Sequence, residues 1–161
     1  MRLFIAIRLS DEMKKALVAC MHDLKKQGVE GNYVPAQNLH MTLAFIGEYD
    51  DPEKVKKVIK KVPMPEFRLS LSEKGNFGNI LWAGVKGNQK LKAYVKELRS
   101  ALDEEGIPYD RSSFVPHITL IRKASAKKPY QVRLGKAVMT VKRASLMKSE
   151  QKNGKVVYQE L

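Results

Sequence analysis

The chain carries one short order of residues twice, His40-Met41-Thr42-Leu43 and His117-Ile118-Thr119-Leu120, 77 residues apart. Each copy sits in a largely apolar run, from Asn38 to Gly47 and from Phe114 to Leu120. In an extended strand alternate side chains share a face, so His40 and Thr42 point one way while Met41 and Leu43 point into a core. His117 and Thr119 do likewise. A chain built this way has to place two rigid strands, each presenting an imidazole and a hydroxyl.

What surrounds the motifs repeats too. Arg2 to Leu9 reads as a strand, and Ser10 caps a helix to about Gln27 whose Met13, Leu17, Cys20, Met21 and Leu24 recur at helical spacing, with Asp11 and Glu12 in its first turn and Gly28 as its stop. Val34 to Ile46 then reads as the first histidine strand. Asp51-Pro52 opens a shorter helix with Val55, Val58, Ile59 and Val62 on one face, ended by Pro63 and Pro65. Phe67, Leu69 and Leu71 alternate with polar residues as a strand. From Gly75 the plan begins again: an apolar strand Ile80 to Val85, a helix capped by Asn88 that carries Leu91, Val95, Leu98 and Leu102, a stop at Gly106, and the second histidine strand. The 77-residue offset sets Trp82 against Ile5, as a duplicated lobe requires. The tail alternates through Ala137, Met139 and Val141, and Asn153-Gly154 joins Ser145 to Gln151 with Lys155 to Tyr158 as a hairpin. One two-lobed domain over residues 1–161 is expected.

Composition sets outer bounds. With 161 residues, 43% of them hydrophobic, the chain can build a proper core. No run approaches the roughly 18 to 20 apolar residues of a membrane span, and the first residues alternate too strictly for a secretory signal. A lone cysteine, Cys20, on a helical core face predicts a structural thiol and a cytoplasmic, reducing home. Thirty Lys and Arg against 17 Asp and Glu, a net charge of +13, favour a phosphate-bearing partner without naming one, since runs such as Lys54 to Lys61 also serve as solvated surface.

A lone histidine in an apolar strand is more often structural than catalytic, and His22 on the first helix is read that way. Two of only three histidines in matched contexts are a different matter. A pseudo-twofold pairing of the strands makes a cleft with one imidazole on each wall, suited to general acid–base work: one ring activates water, the other protonates the departing oxygen. Thr42 and Thr119 can donate to the non-bridging oxygens of a phosphate, and Arg122 adds positive charge near the mouth. No His-Glu-x-x-His, paired cysteines, Gly-x-Ser-x-Gly or phosphate loop occurs, so neither a metal nor a cofactor is expected.

These residues resemble the LigT-like RNA 2',3'-cyclic phosphodiesterases, formerly called 2'-5' RNA ligases, of the two-histidine phosphoesterase superfamily. The resemblance spans Arg2 to Ile7, Asn38 to Gly47, Phe77-Gly78 with Leu81 to Val85, Pro116 to Arg122, and Val157-Tyr158. It implies a bilobal, pseudo-duplicated α+β fold in which two antiparallel sheets line a central cleft with helices outside. It also implies metal-independent hydrolysis of RNA 2',3'-cyclic phosphate ends to a 2'-phosphate, with His40 as proton donor to the 3' oxygen and His117 as proton acceptor from water; a monomer is expected. Members often carry Arg-Trp-Val ahead of the first motif, where this chain has Asn32-Tyr33-Val34, so one positive charge is expected to be missing from the rim. Two other readings remain: 2'-5' ligation by the same site run backwards, and a basic RNA-binding module that holds phosphate without turning it over.

Overall fold

The computed structural model describes residues 1–86 and 89–161. In chain order it contains β1 (Arg2–Arg8), α1 (Asp11–Lys26), β2 (Glu30–Tyr33), β3 (His40–Glu48), α2 (Pro52–Lys61), β4 (Phe67–Phe77), β5 (Ile80–Lys86), α3 (Gln89–Glu104), β6 (His117–Ser125), β7 (Val138–Val141), β8 (Ser145–Lys152) and β9 (Lys155–Glu160). The strands form two antiparallel sheets, a four-stranded one ordered β3-β1-β8-β9 and a five-stranded one ordered β2-β6-β5-β4-β7. The architecture is α+β. No helix among the described residues is long and apolar enough to cross a membrane.

The local chemistry of each element is visible. Ser10 Oγ accepts the Met13 N–H at 3.2 Å to start α1, and Gly28, at φ +89°, takes the left-handed turn that ends it. Asp51 caps α2, with Pro52 in the first turn where a missing N–H costs nothing. Asn153 and Gly154, both at positive φ, make the tight turn between β8 and β9. The Asn88 cap lies outside the described residues.

One continuous core holds the assembly together. Leu3, Ile5 and Ile7 of β1 meet Leu17 of α1, Leu98 of α3 and Ile118 of β6 there, all essentially free of solvent. Each such side chain contributes about 1.5–3 kcal/mol through burial. On the other face of the first sheet a smaller cluster, Phe4, Ala6 and Met147, is flanked by Phe45 and Tyr158 and fronts the cleft.

Three expectations need correction. Val34 to Ile46 is not one strand: β2 ends at Tyr33, Pro35 leads into a 3-10 turn at Ala36–Asn38, and β3 starts at His40. Proline has no N–H for the ladder, and the break lets β2 join β6 in the opposite sheet. Gly75 is not a boundary either, since β4 runs through it to Phe77. Finally, the repeat is offset by one residue in its first strand. The ladders set Thr42 opposite Ala6 and Thr119 opposite Trp82, so Trp82 corresponds to Ala6 and not to Ile5. A shift of one flips a strand residue to the other face. Ile5 accordingly lies in the core while Trp82 faces the second histidine.

Candidate active site

Both histidines are the first residues of their strands, and both are oriented by the same device. His40 Nδ1 lies 2.7 Å from the Asn38 carbonyl oxygen, and His117 Nδ1 lies 2.6 Å from that of Val115. A carbonyl oxygen only accepts, so each Nδ1 carries a proton and Nε2 is left as the working nitrogen. His40 Nε2 is 2.9 Å from Thr42 Oγ1, whose hydroxyl donates to it when the ring is neutral. His117 Nε2 has no protein partner among the described residues. Asn38 is itself fixed, because its buried side-chain amide donates to the Val156 carbonyl of β9 at 3.0 Å.

The strands bulge at the last residue of each motif. Leu43 is the extra residue between Thr42 and Ala44 in the pairing with β1, and Leu120 is its counterpart in β6. Bulges re-aim side chains, and here strict alternation stops after the threonine: Leu43 and Ala44 are both buried, and Phe45 is the next residue of β3 on the cleft side. Arg99 of α3 grips the first bulge from behind. Its Nη2 and Nε donate to the Leu43 carbonyl at 3.1 and 3.4 Å, while Nη1 donates to the Ser112 carbonyl at 2.8 Å, in the segment leading to His117. One guanidinium thus ties the backbones of both motifs together.

Each imidazole stands in a pair of aromatic rings. Phe4 and Tyr158 lie 5.0 and 5.1 Å from His40, Tyr158 edge-on at 84°. Phe77 and Trp82 lie 5.1 and 5.6 Å from His117, Phe77 edge-on at 87°. The indole of Trp82 spreads over Gly75, its cross-strand partner, in space that a Cβ would fill.

A cavity of about 160 Å³ receives both motifs. His40, Thr42, His117, Thr119 and Arg122 all line it, together with Val34, Asn38 and Tyr158. All five residues singled out in the sequence therefore meet at one place. Burial is the main cause that lowers the pKa of His40 below its ordinary value; the charges of Arg122 and His117 push the same way, against the hydrogen bond to Asn38. Arg122 has no carboxylate partner among the described residues, and it stands opposite Asn32 in the β2–β6 ladder. A guanidinium thus lies beside the position where the missing rim charge was expected. No group of three or more His, Cys, Asp or Glu suited to a metal occurs among the described residues. Cys20 is buried in α1, with its thiol pushed up by burial, and His22 is exposed on the same helix; neither reaches the cavity.

The sequence reading gave no role to the parts that hold the imidazoles: Asn38 and the four rings, which stand in the segments of resemblance, and Arg99 and Gly75, which stand outside them. Gly75 left a different trace, a glycine set across a hairpin from the sole tryptophan.

Comparison with known proteins gives a consistent picture. A family model described as 2'-5' RNA ligase superfamily matches residues 10–153. A Thermotoga maritima protein named RNA 2',3'-cyclic phosphodiesterase is 32% identical over 132 residues, covering 76% of this chain and 70% of its own. An Escherichia coli K12 protein of the same name is 33% identical, over 77% and 73%. The crystal structure of E. coli LigT complexed with 3'-AMP superposes with a TM-score of 0.86 at 28% identity, covering 99% of this chain and 94% of that one.

Proposed function

The chain belongs to the 2'-5' RNA ligase superfamily, and from that premise we propose that it is a metal-independent RNA 2',3'-cyclic phosphodiesterase that opens the cyclic end to a 2'-phosphate. The observation that carries this is the pair of Nε2 atoms, each fixed by a hydrogen bond on its Nδ1, on the wall of one phosphate-sized cavity with Thr42, Thr119 and Arg122.

In the reaction the cyclic phosphate occupies the cavity. His117 Nε2 takes a proton from water as its oxygen bonds to phosphorus, the P–O3' bond breaks, and His40 Nε2–H gives its proton to O3'. The hydroxyls of Thr42 and Thr119 and the Arg122 guanidinium donate to the non-bridging oxygens, where negative charge accumulates. Burial favours the neutral form of His40 in the empty site, yet a donor must start protonated. The phosphate resolves this: an anion set against the ring favours the imidazolium and draws its pKa back up. On protonation Nε2 no longer accepts from Thr42, which frees the threonine hydroxyl for the phosphate while Nε2–H is aimed at O3'.

Both motifs come from one chain and share one core, which supports reading residues 1–161 as one two-lobed domain that works as a monomer. The single buried thiol fits a cytoplasmic home. His40→Ala and His117→Ala should each lower the turnover of a 2',3'-cyclic mononucleotide in excess chelator by about 10²-fold or more, with folding intact by circular dichroism. Full activity in either variant would remove the assignment.

A further inference from the structure

Arg122 stands between two irregularities of β6, one on each edge of the strand. On the β5 side Leu120 is the extra residue, so Ile121 turns into the core and Arg122 to the cleft, where regular alternation from Thr119 would have placed Ile121. On the β2 side the ladder pairs Asn32 with Arg122 and Glu30 with Ser125, so Gly31 alone faces Lys123 and Ala124. Two residues opposite one make a second bulge, directly after Arg122. Beyond it the Ala124 N–H donates to the Asn79 carbonyl at 2.8 Å, in the turn between β4 and β5.

This second bulge is strained. Lys123 has φ +54°, in the left-handed region; the other described non-glycine residue with positive φ is Asn153, a type that tolerates it, in a tight turn. Nothing at the Lys123 side chain offsets the cost, since it is exposed and forms no salt bridge among the described residues. Gly31 is pressed against the same stretch. A Cβ there would lie 2.7 Å from Ile121 Cγ2 and 2.9 Å from the carbonyl oxygens of both Arg122 and Lys123, and its φ is +146°. The surrounding sheet imposes this conformation, and strain of this kind collects where a side chain has to be aimed. The side chain beside it is Arg122, which lines the phosphate-sized cavity with both histidines.

We propose that Gly31 and the left-handed backbone of Lys123 are positioning residues for Arg122: the bulge they form turns the guanidinium toward the phosphate and holds its stem there before substrate arrives. The inference rests on the phosphodiesterase reading, in which Arg122 donates to the non-bridging oxygens. An arginine side chain gives up much rotamer freedom when it binds, so a stem aimed in advance leaves more of each hydrogen bond for the transition state. The Lys123 amine has no part in this; the shape of its backbone does.

The experiment compares Lys123→Gly with Lys123→Val, each alone and combined with Arg122→Ala, on a 2',3'-cyclic mononucleotide. Both substitutions remove the amine. Glycine takes a positive φ without cost whereas a β-branched residue does not, so only Lys123→Val flattens the bulge. Lys123→Gly should stay close to the unaltered protein in kcat/KM, and Lys123→Val should fall about tenfold or more with folding intact by circular dichroism. With Arg122→Ala in place the gap between the two should close, because the guanidinium they aim is gone. Gly31→Ala, which presses on the bulge from β2, should repeat the loss and its dependence on Arg122, whether or not Lys123→Val folds. Equal kcat/KM in Lys123→Gly and Lys123→Val, or a gap that persists without Arg122, overturns the positioning role. If even the unaltered protein leaves the cyclic phosphate unopened, the phosphodiesterase reading fails on its own. The aim of Arg122 is then read from the affinity for inorganic phosphate: weaker binding in Lys123→Val than in Lys123→Gly supports it, and equal binding sinks it.

Discussion

Gly75 offers a test that reaches the second histidine without touching it. Its φ is not positive, so an alanine meets no backbone strain there and the effect is one of space alone. A Cβ at Gly75 would lie 2.6 Å from Trp82 Cε2 and closer still to Cζ2 and Cη2, while ordinary contact begins at 3.4 Å. The indole must therefore retreat by about 0.8 Å or more. It is confined on its other sides by Phe77, 5.2 Å away, and by His117, 5.6 Å away. Overpacking of this kind costs about 1–3 kcal/mol, which for a chain of this size lowers Tm by about 2–12 °C. A misplacement near 1 Å at a reacting group can cost about 10²-fold, so Gly75→Ala should reduce kcat on a 2',3'-cyclic mononucleotide by about 10- to 100-fold. The His117 imidazole proton resonances should shift as the ring moves. Adding Trp82→Phe to Gly75→Ala makes room again and should recover much of the loss. A folded Gly75→Ala protein with unaltered turnover and unaltered His117 resonances would refute the idea that Trp82 sets the position of that ring.

Three further outcomes follow from the site. The His40 imidazole should titrate below 6.5 in the free protein and at higher pH once inorganic phosphate fills the cavity, as read by NMR; a midpoint indifferent to phosphate would remove the proposed recharging of the donor. Because the folded state favours the neutral ring, stability should be greatest above pH 6.5 and decline as pH falls through the folded midpoint, and His40→Asn should flatten that decline. Arg99→Ala should cost about 2 kcal/mol in urea unfolding and lower kcat about tenfold with little change in KM, since it frees both motif backbones. Arg99→Lys should not rescue it, because an ammonium lacks the fork that reaches two carbonyls; wild-type kcat in that variant would show the clamp to be dispensable.

What the sequence told well was whatever local spacing governs. The α1 face from Met13 to Leu24, the Asp51-Pro52 start and the Asn153-Gly154 turn rest on contacts within a few residues, and all are found. The two motifs were legible because a repeated side-chain pattern survives whatever the chain does between copies. The pairing of β2 with β6 was not, because ladder partners are chosen by the whole sheet and nothing in Glu30 to Tyr33 names its neighbour. The one-residue slip between Ile5 and Trp82 was hidden because it comes from the length of the connections: 42 − 6 = 36 residues separate the paired Ala6 and Thr42, and 119 − 82 = 37 separate Trp82 and Thr119. Arg99 reads as an ordinary helix-surface cation, and only its distances to Leu43 and Ser112 give it a task.

The exchange of strands between the halves has a mechanical outcome. β2, from the N-terminal portion, is zipped to β6, which carries His117, while β8 and β9, from the far end of the chain, complete the sheet that carries His40. Neither half can be cut free with a finished sheet of its own. Spreading the two imidazoles apart would strain the crossings between the sheets, so the gap between them is braced by woven backbone rather than left to a swinging hinge.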